Sequence, residues 1–179
     1  MRRSSSKRLV IDASVIRSAG GEAAAHPTSK RCRDFLIAVL DICHRMAVSP
    51  DTEEEWKRHR SRFASTWRTS MVARRKVVRL DSCADQRLRD RVERLARLRQ
   101  DLNEAVLRKD IHLVEAAKAT DSIVVSLDDT AKGAFRLAAG SIRELRGLRW
   151  INPDDASGEV IAWLASGAGA HAPWLLGST

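Results

Sequence analysis

The chain has 179 residues, enough for one domain with a sizeable core. Lys and Arg number 32 against 23 Asp and Glu, a net charge of +9 that suits a polyanionic partner, nucleic acid first, and says nothing about fold. No apolar run is long enough to span a membrane, and the three cysteines Cys32, Cys43 and Cys83 form no close pair, which points to reduced thiols rather than a disulfide frame or a zinc site.

Residues 1–6, Met-Arg-Arg-Ser-Ser-Ser, read as a disordered basic tail. They lack the apolar segment of a secretory signal, so a cytoplasmic location is expected. Residues 7–11 read as a buried strand that runs directly into Asp12. A short helix over Asp12 to Ser18 follows and is stopped by Gly20-Gly21. Thr28 or Ser29 is placed to cap the next helix, whose apolar positions Phe35, Leu36, Val39, Leu40 and Ile42 to Met46 recur at helical spacing. The adjacent Cys43 and His44 read as packing residues of that helix. Ala47-Val48 is a short strand. Ser49-Pro50 opens a third helix, with Ser as cap and Pro at the first helical position. Trp56, Phe63, Trp67 and Met71 fall on one stripe of it.

Lys76 to Leu80 fits either an edge strand or an extended link. From Ala84 to Val106 the series Leu88, Val92, Leu95, Leu98, Leu102 predicts one amphipathic helix. Its other face carries Arg87, Arg89, Arg91, Arg94, Arg97 and Arg99. Three readings of this helix stand: Arg91, Arg94 and Arg97 track an RNA backbone, the face is merely solvated, or the Leu stripe pairs with a second chain, for instance in a homodimer. Asp110 is read as opening a helix over 110–119, followed by the strand Ile123 to Ser126, a helix over 129–139 ended by Gly140, and a last strand, Leu148 to Ile151, closed by Asn152-Pro153. A short helix near residues 158–166 and a loose tail complete the chain. The expected organisation is a basic tail (1–6), a domain over 7–152 and a C-terminal extension over 153–179. Strands alternating with helices predict an α/β fold, a parallel sheet with helices on both faces.

Acids stand at the element ends. In an open parallel sheet ligands sit just beyond the carboxyl ends of the strands, and two strands here lead into Asp12 and Asp128. With Asp110, these form an oxygen donor set suited to a hard divalent cation. In the third helix, at about 100° per residue, Glu54 lies nearly opposite the Trp56 stripe while Glu53 and Glu55 flank it. Only those two can reach inward. Asp51 belongs to the cap. Of the pair Asp128-Asp129, one must cap the following helix, and the cap is assigned to Asp129. Asp121 reads as a surface-turn residue and His112 as a packed or hydrogen-bonded histidine.

The ordered set of Leu9-Val-Ile-Asp-Ala-Ser14, Val48-Ser-Pro with Glu55-Trp56, Asp110-Ile-His-Leu-Val-Glu-Ala-Ala117 and Val125-Ser-Leu-Asp128 resembles the PIN-domain family of metal-dependent nucleases, which includes VapC-like ribonuclease toxins of toxin–antitoxin pairs. The resemblance covers about residues 7 to 152. It implies a PIN-like (flavodoxin-like) sheet of about five strands, RNA as substrate, an antitoxin protein as partner, and Mg²⁺ or Mn²⁺ as cofactor. It also implies Asp12, Asp110 and Asp128 as metal ligands, Glu55 as a ligand or a holder of metal-bound water, and Ser14 and Ser126 as the hydroxyl residues that accompany the first and last acids. The Arg-rich helix and the segment beyond Pro153 exceed the compact toxin pattern. Two other readings compete. A phosphatase of the haloacid dehalogenase type would need an Asp where Ser14 stands. A PIN-like module that binds RNA without cutting it would have no use for four intact acids.

Overall fold

The structure, a computed structural model, describes residues 6–154 and 158–178. Its elements in chain order are β1 (Arg8–Ile11), α1 (Ala13–Ser18), α2 (Pro27–Asp41), β2 (Arg45–Val48), α3 (Pro50–His59), α4 (Arg62–Ala73), β3 (Val77–Arg79), α5 (Gln86–Leu98), α6 (Glu104–Lys118), β4 (Ile123–Val125), α7 (Asp129–Ala139), β5 (Arg149–Ile151) and α8 (Glu159–Ala165). The five strands are all parallel, in the order β3-β2-β1-β4-β5. From β1 the chain winds to one edge through β2 and β3, then crosses back and builds the other edge with β4 and β5. The direction reverses between β1 and β4, where Val10 pairs with Val124 and Ile11 with Val125. That reversal leaves a crevice at the carboxyl ends of these two strands.

Alternate strand residues feed two cores. Leu9, Ile11, Met46, Val48, Ile123, Val125 and Ile151 face α1, α2, α4, α8 and Trp56 of α3. Val10, Ala47, Val124 and Trp150 face α5, α6 and α7. Burial on both faces explains why the inner strands read as unbroken apolar runs. The α/β architecture expected from the alternation of elements is therefore present, and Lys76 to Leu80 resolves into the short edge strand β3.

Several boundaries differ from the sequence reading. The single helix expected from Ser49 to Met71 is two helices: α3 ends at His59, and Ser61 caps α4 by accepting the Ala64 N–H. The stripe crosses the break, and Trp56 and Trp67 meet with ring centroids 6.1 Å apart. The helix expected from Ala84 to Val106 stops at Leu98, and Asn103 caps a new helix. Asp110 therefore lies in the middle of α6 and opens nothing. The cap of α2 is His26, ahead of Pro27, rather than Thr28 or Ser29. Cys43 and His44 lie beyond α2, in the bend before β2. His44 is buried there, with Nδ1 accepting the Lys7 N–H at 3.1 Å and Nε2 2.8 Å from the Leu164 carbonyl. The end of the chain is no loose tail, because Trp174 and Leu176 are buried and Leu175 bridges to Arg149 of β5. Apart from Ser6, the basic tail expected over residues 1–6 lies outside the described residues.

Candidate active site

At the β1–β4 reversal, side chains from α1, α3, α6 and the start of α7 wall an open cleft of about 580 Å³. Asp12, Ser14, Glu55, Asp110 and Asp128 all line it. Asp12 directly follows β1, and its N–H continues the ladder to Val125 O at 2.9 Å. Its carboxylate is held by the loop after β4. Ser126 Oγ donates to Asp12 Oδ2 at 2.8 Å, and Ser14 Oγ donates to the same oxygen. Each hydroxyl also accepts a backbone N–H, Ser126 from Asp128 at 3.0 Å and Ser14 from Leu127 at 3.1 Å. A hydroxyl carries one proton, so accepting the backbone N–H leaves that proton for Asp12. Ser14 and Ser126 thus lock the first acid to the strand that carries the last one.

Glu55 is positioned by its neighbour. Trp56 is buried and its Nε1–H donates to Ile11 O at 2.9 Å, which pins α3 to the carboxyl end of β1. That bond fixes the phase of the helix. Glu55 faces the cleft, Glu53 pairs with Arg68 of α4, and the exposed Glu54 pairs with Arg58 one turn on. Asp110 reaches the cleft because α6 runs over the sheet. Asp110, Leu113, Val114 and Ala117 recur at helical spacing on its buried face. The apolar members cover β1 and β4, and Asp110 lies one turn further toward the cleft.

Asp110 is only 5% exposed, and its Oδ2 has no hydrogen-bond partner. Burial pushes its carboxyl up to about 6. The ammonium of Lys109 opposes that rise, while Asp12 and Asp128 add to it. The Lys109 Nζ stands 3.5 Å from Asp110 Oδ1 and 3.8 Å from Asp128 Oδ2, and Asp110 first, then Asp128, holds the lysine above its ordinary value. The N-cap of α7 is Asp128 rather than Asp129. Its Oδ1 accepts the Ala131 N–H at 2.8 Å, which leaves Oδ2 toward Lys109. One carboxylate serves both purposes because capping uses a single oxygen. Asp129 occupies the first turn and accepts from Asn152 Nδ2 at 3.1 Å.

His112 Nδ1 lies 3.0 Å from the Lys109 carbonyl, which can only accept, so the ring donates there. Its buried Nε2 is left without a hydrogen-bond partner, 3.5 Å from Glu55 Oε2. Arg17, His59 and Lys109 also line the cleft and were not singled out from sequence. All three are exposed on helices, where a basic residue reads as solvated. The α5 arginines do not line it. Arg91 pairs with Glu144 and Arg97 with Glu93, each at 2.9 Å, while Arg94 is exposed.

The donor set is all oxygen and fits a hard cation such as Mg²⁺ or Mn²⁺, and the partnerless Oδ2 of buried Asp110 is an open ligand position. Among the described residues, however, no three His, Cys, Asp or Glu side chains converge to metal-ligating distance. What lies between Asp110 and Asp128 is the Lys109 ammonium. No protein-family model and no curated protein matches this sequence.

Proposed function

We propose that this chain is a divalent-metal-dependent ribonuclease of the PIN type. The observation that carries the reading is the meeting of Asp12, Glu55, Asp110 and Asp128, from four separate elements, in one cleft at the strand-order reversal. Asp12, Asp110 and Asp128 would hold Mg²⁺ or Mn²⁺. When bound, the ion supplies neutralisation of the phosphate charge and a water acidic enough to attack near neutral pH. Ser14 and Ser126 keep Asp12 in one orientation. Glu55, beside His112 Nε2, is placed to hold and deprotonate a water at the cleft wall. Arg17 and His59 offer positive charge and a hydrogen-bond donor to the sugar–phosphate strand, and the net charge of +9 favours its approach. A VapC-like toxin role in the cytoplasm, with an antitoxin protein as partner, is the narrower form of the proposal. A neighbouring reading frame for a small DNA-binding protein would support it.

The rival readings account for less. A haloacid dehalogenase-type phosphatase would need a second Asp where Ser14 stands, and that hydroxyl donates to Asp12. An RNA-binding module without catalysis leaves unexplained why a carboxylate is buried beside two others at a cost in stability. The test is cleavage of a labelled RNA by the purified protein with Mg²⁺, with Mn²⁺ and with a chelator, alongside hydrolysis of a small phosphate ester. The proposal expects RNA cleavage that needs the ion and no hydrolysis of the ester. RNA that is bound but left whole would favour the binding module. An ester hydrolysed while RNA stays intact would favour the phosphatase.

A further inference from the structure

We infer that Lys109 is a built-in counter-cation that competes with the divalent ion for Asp110 and Asp128, so that the ion binds only as the ammonium leaves. The inference rests on reading the acid cleft as a divalent-cation site. Its Nζ lies between two carboxylates from different elements, 3.5 Å from Asp110 Oδ1 on α6 and 3.8 Å from Asp128 Oδ2 at the start of α7. The pairing does not saturate the cluster, because Asp110 Oδ2 is buried and unpartnered. The acids lining the cleft are Asp12, Glu55, Asp110, Asp128 and Asp129, against the cations Arg17 and Lys109, so negative charge is in excess there.

An ammonium and a divalent ion cannot share one gap, since like charges in contact repel strongly near a protein surface. Lys109 can leave without disturbing the core. Its side chain is 66% exposed, whereas that of Asp110 is 7% exposed. The mobile partner is therefore the lysine, and its departure leaves Asp110 and Asp128 free to close on the ion. Displaced, Lys109 remains on the cleft rim, where Arg108, Glu55 and His112 line an adjoining hollow. In the ion-free protein the lysine holds together a cluster that would otherwise repel itself. Its removal should tighten ion binding and weaken the ion-free protein.

The test is calorimetric titration of Mn²⁺ into the full-length wild type, Lys109→Met and Lys109→Arg, with thermal unfolding of each in chelator. Lys109→Met should bind Mn²⁺ about tenfold more tightly and melt lower in chelator. Lys109→Arg, which keeps the charge, should stay near wild type. Should Lys109→Met fail to fold, Lys109→Gln serves in its place. Equal Mn²⁺ affinities for wild type and Lys109→Met would overturn the competition while leaving the metal site standing. So would an unchanged Mn²⁺ affinity coupled with weaker RNA binding, which would make Lys109 a phosphate anchor instead. Absence of Mn²⁺ binding by every protein would overturn both this inference and the metal-dependent reading beneath it.

Discussion

Burial lifts the Asp110 carboxyl from its ordinary 3.8 to about 6, against the pull of Lys109. The unfolded chain releases this proton near pH 4, and the folded chain holds it until about pH 6. The unfolded state therefore binds fewer protons between those values, and Asp110 lowers stability progressively as the pH rises through that window. Above it the cost is about 2 to 3 kcal/mol. Asp110→Asn keeps the shape and removes the charge. In chelator, it should be more stable than wild type at pH 7 by about that amount, with the gap closing near pH 4. Urea unfolding at pH 4, 5 and 7 measures it, and a variant no more stable than wild type at pH 7 would refute the account of this residue. Asp110 is legible as an acid beside an apolar helix, though not its place within that helix, and Lys109 next to it is not legible at all. A lysine on an exposed helical position carries no periodic signal, and only the fold brings Asp128 within its reach.

At the level of elements, Trp56 and its bond to Ile11 O set the orientation of α3. The consequence is a contrast between neighbours. Glu55→Gln should reduce RNA cleavage by at least tenfold, and Glu54→Gln should leave it within about twofold, since Glu54 is exposed and paired with Arg58. Comparable losses in the two variants would show that α3 presents a different face to the substrate. The wheel position of Trp56 turns Glu54 outward but leaves Glu53 and Glu55 level, and it is the Arg68 partner of Glu53 that separates those two. The helix breaks are not legible in the sequence. Leu98 and Leu102 continue the spacing of α5 across residues 99–103, and Phe63 continues that of α3 across Arg60-Ser61, so periodicity ran on where the backbone turned. Neither break carries a Gly or Pro, and each restarts on a polar cap, Asn103 or Ser61, that also occurs inside helices. The break after Leu98 is what puts Asp110 in the middle of α6 instead of at a helix start. The pair Asp128-Asp129 is ambiguous in sequence, because adjacent aspartates both fit a cap, and only the bond to the Ala131 N–H separates them.

For the whole molecule, the +9 excess is offset locally by ion pairs. The arginine-rich face of α5 is partly neutralised from within, because Arg91 and Arg97 are each held by a glutamate. Arg17 lies instead on the rim of the acid cleft, with no ion pair among the described residues. Arg17→Gln should therefore make the dependence of log RNA affinity on log salt shallower by roughly 0.7, the loss of one single-strand phosphate contact. Replacing Arg91 and Arg97 together should leave the slope within error of wild type. A salt titration of the three proteins decides, and a shallower slope only for the α5 variant would move the RNA path from the cleft to that helix. The parallel sheet itself was legible from the alternation of apolar strands with helices. The strand order was not, since pairing is fixed by crossovers of many residues that leave no local mark. That order places Asp12 and Asp128 side by side.

The most direct measurement is RNA cleavage by Asp12→Asn beside wild type, both in saturating Mn²⁺ and both verified as folded by circular dichroism. Asp12 closes β1, takes the hydroxyls of Ser14 and Ser126, and has no structural partner that asparagine could not also serve. A metal-dependent nuclease at this cleft predicts loss of cleavage by at least a hundredfold with the fold retained. Cleavage at the wild-type rate by a folded Asp12→Asn protein would contradict it.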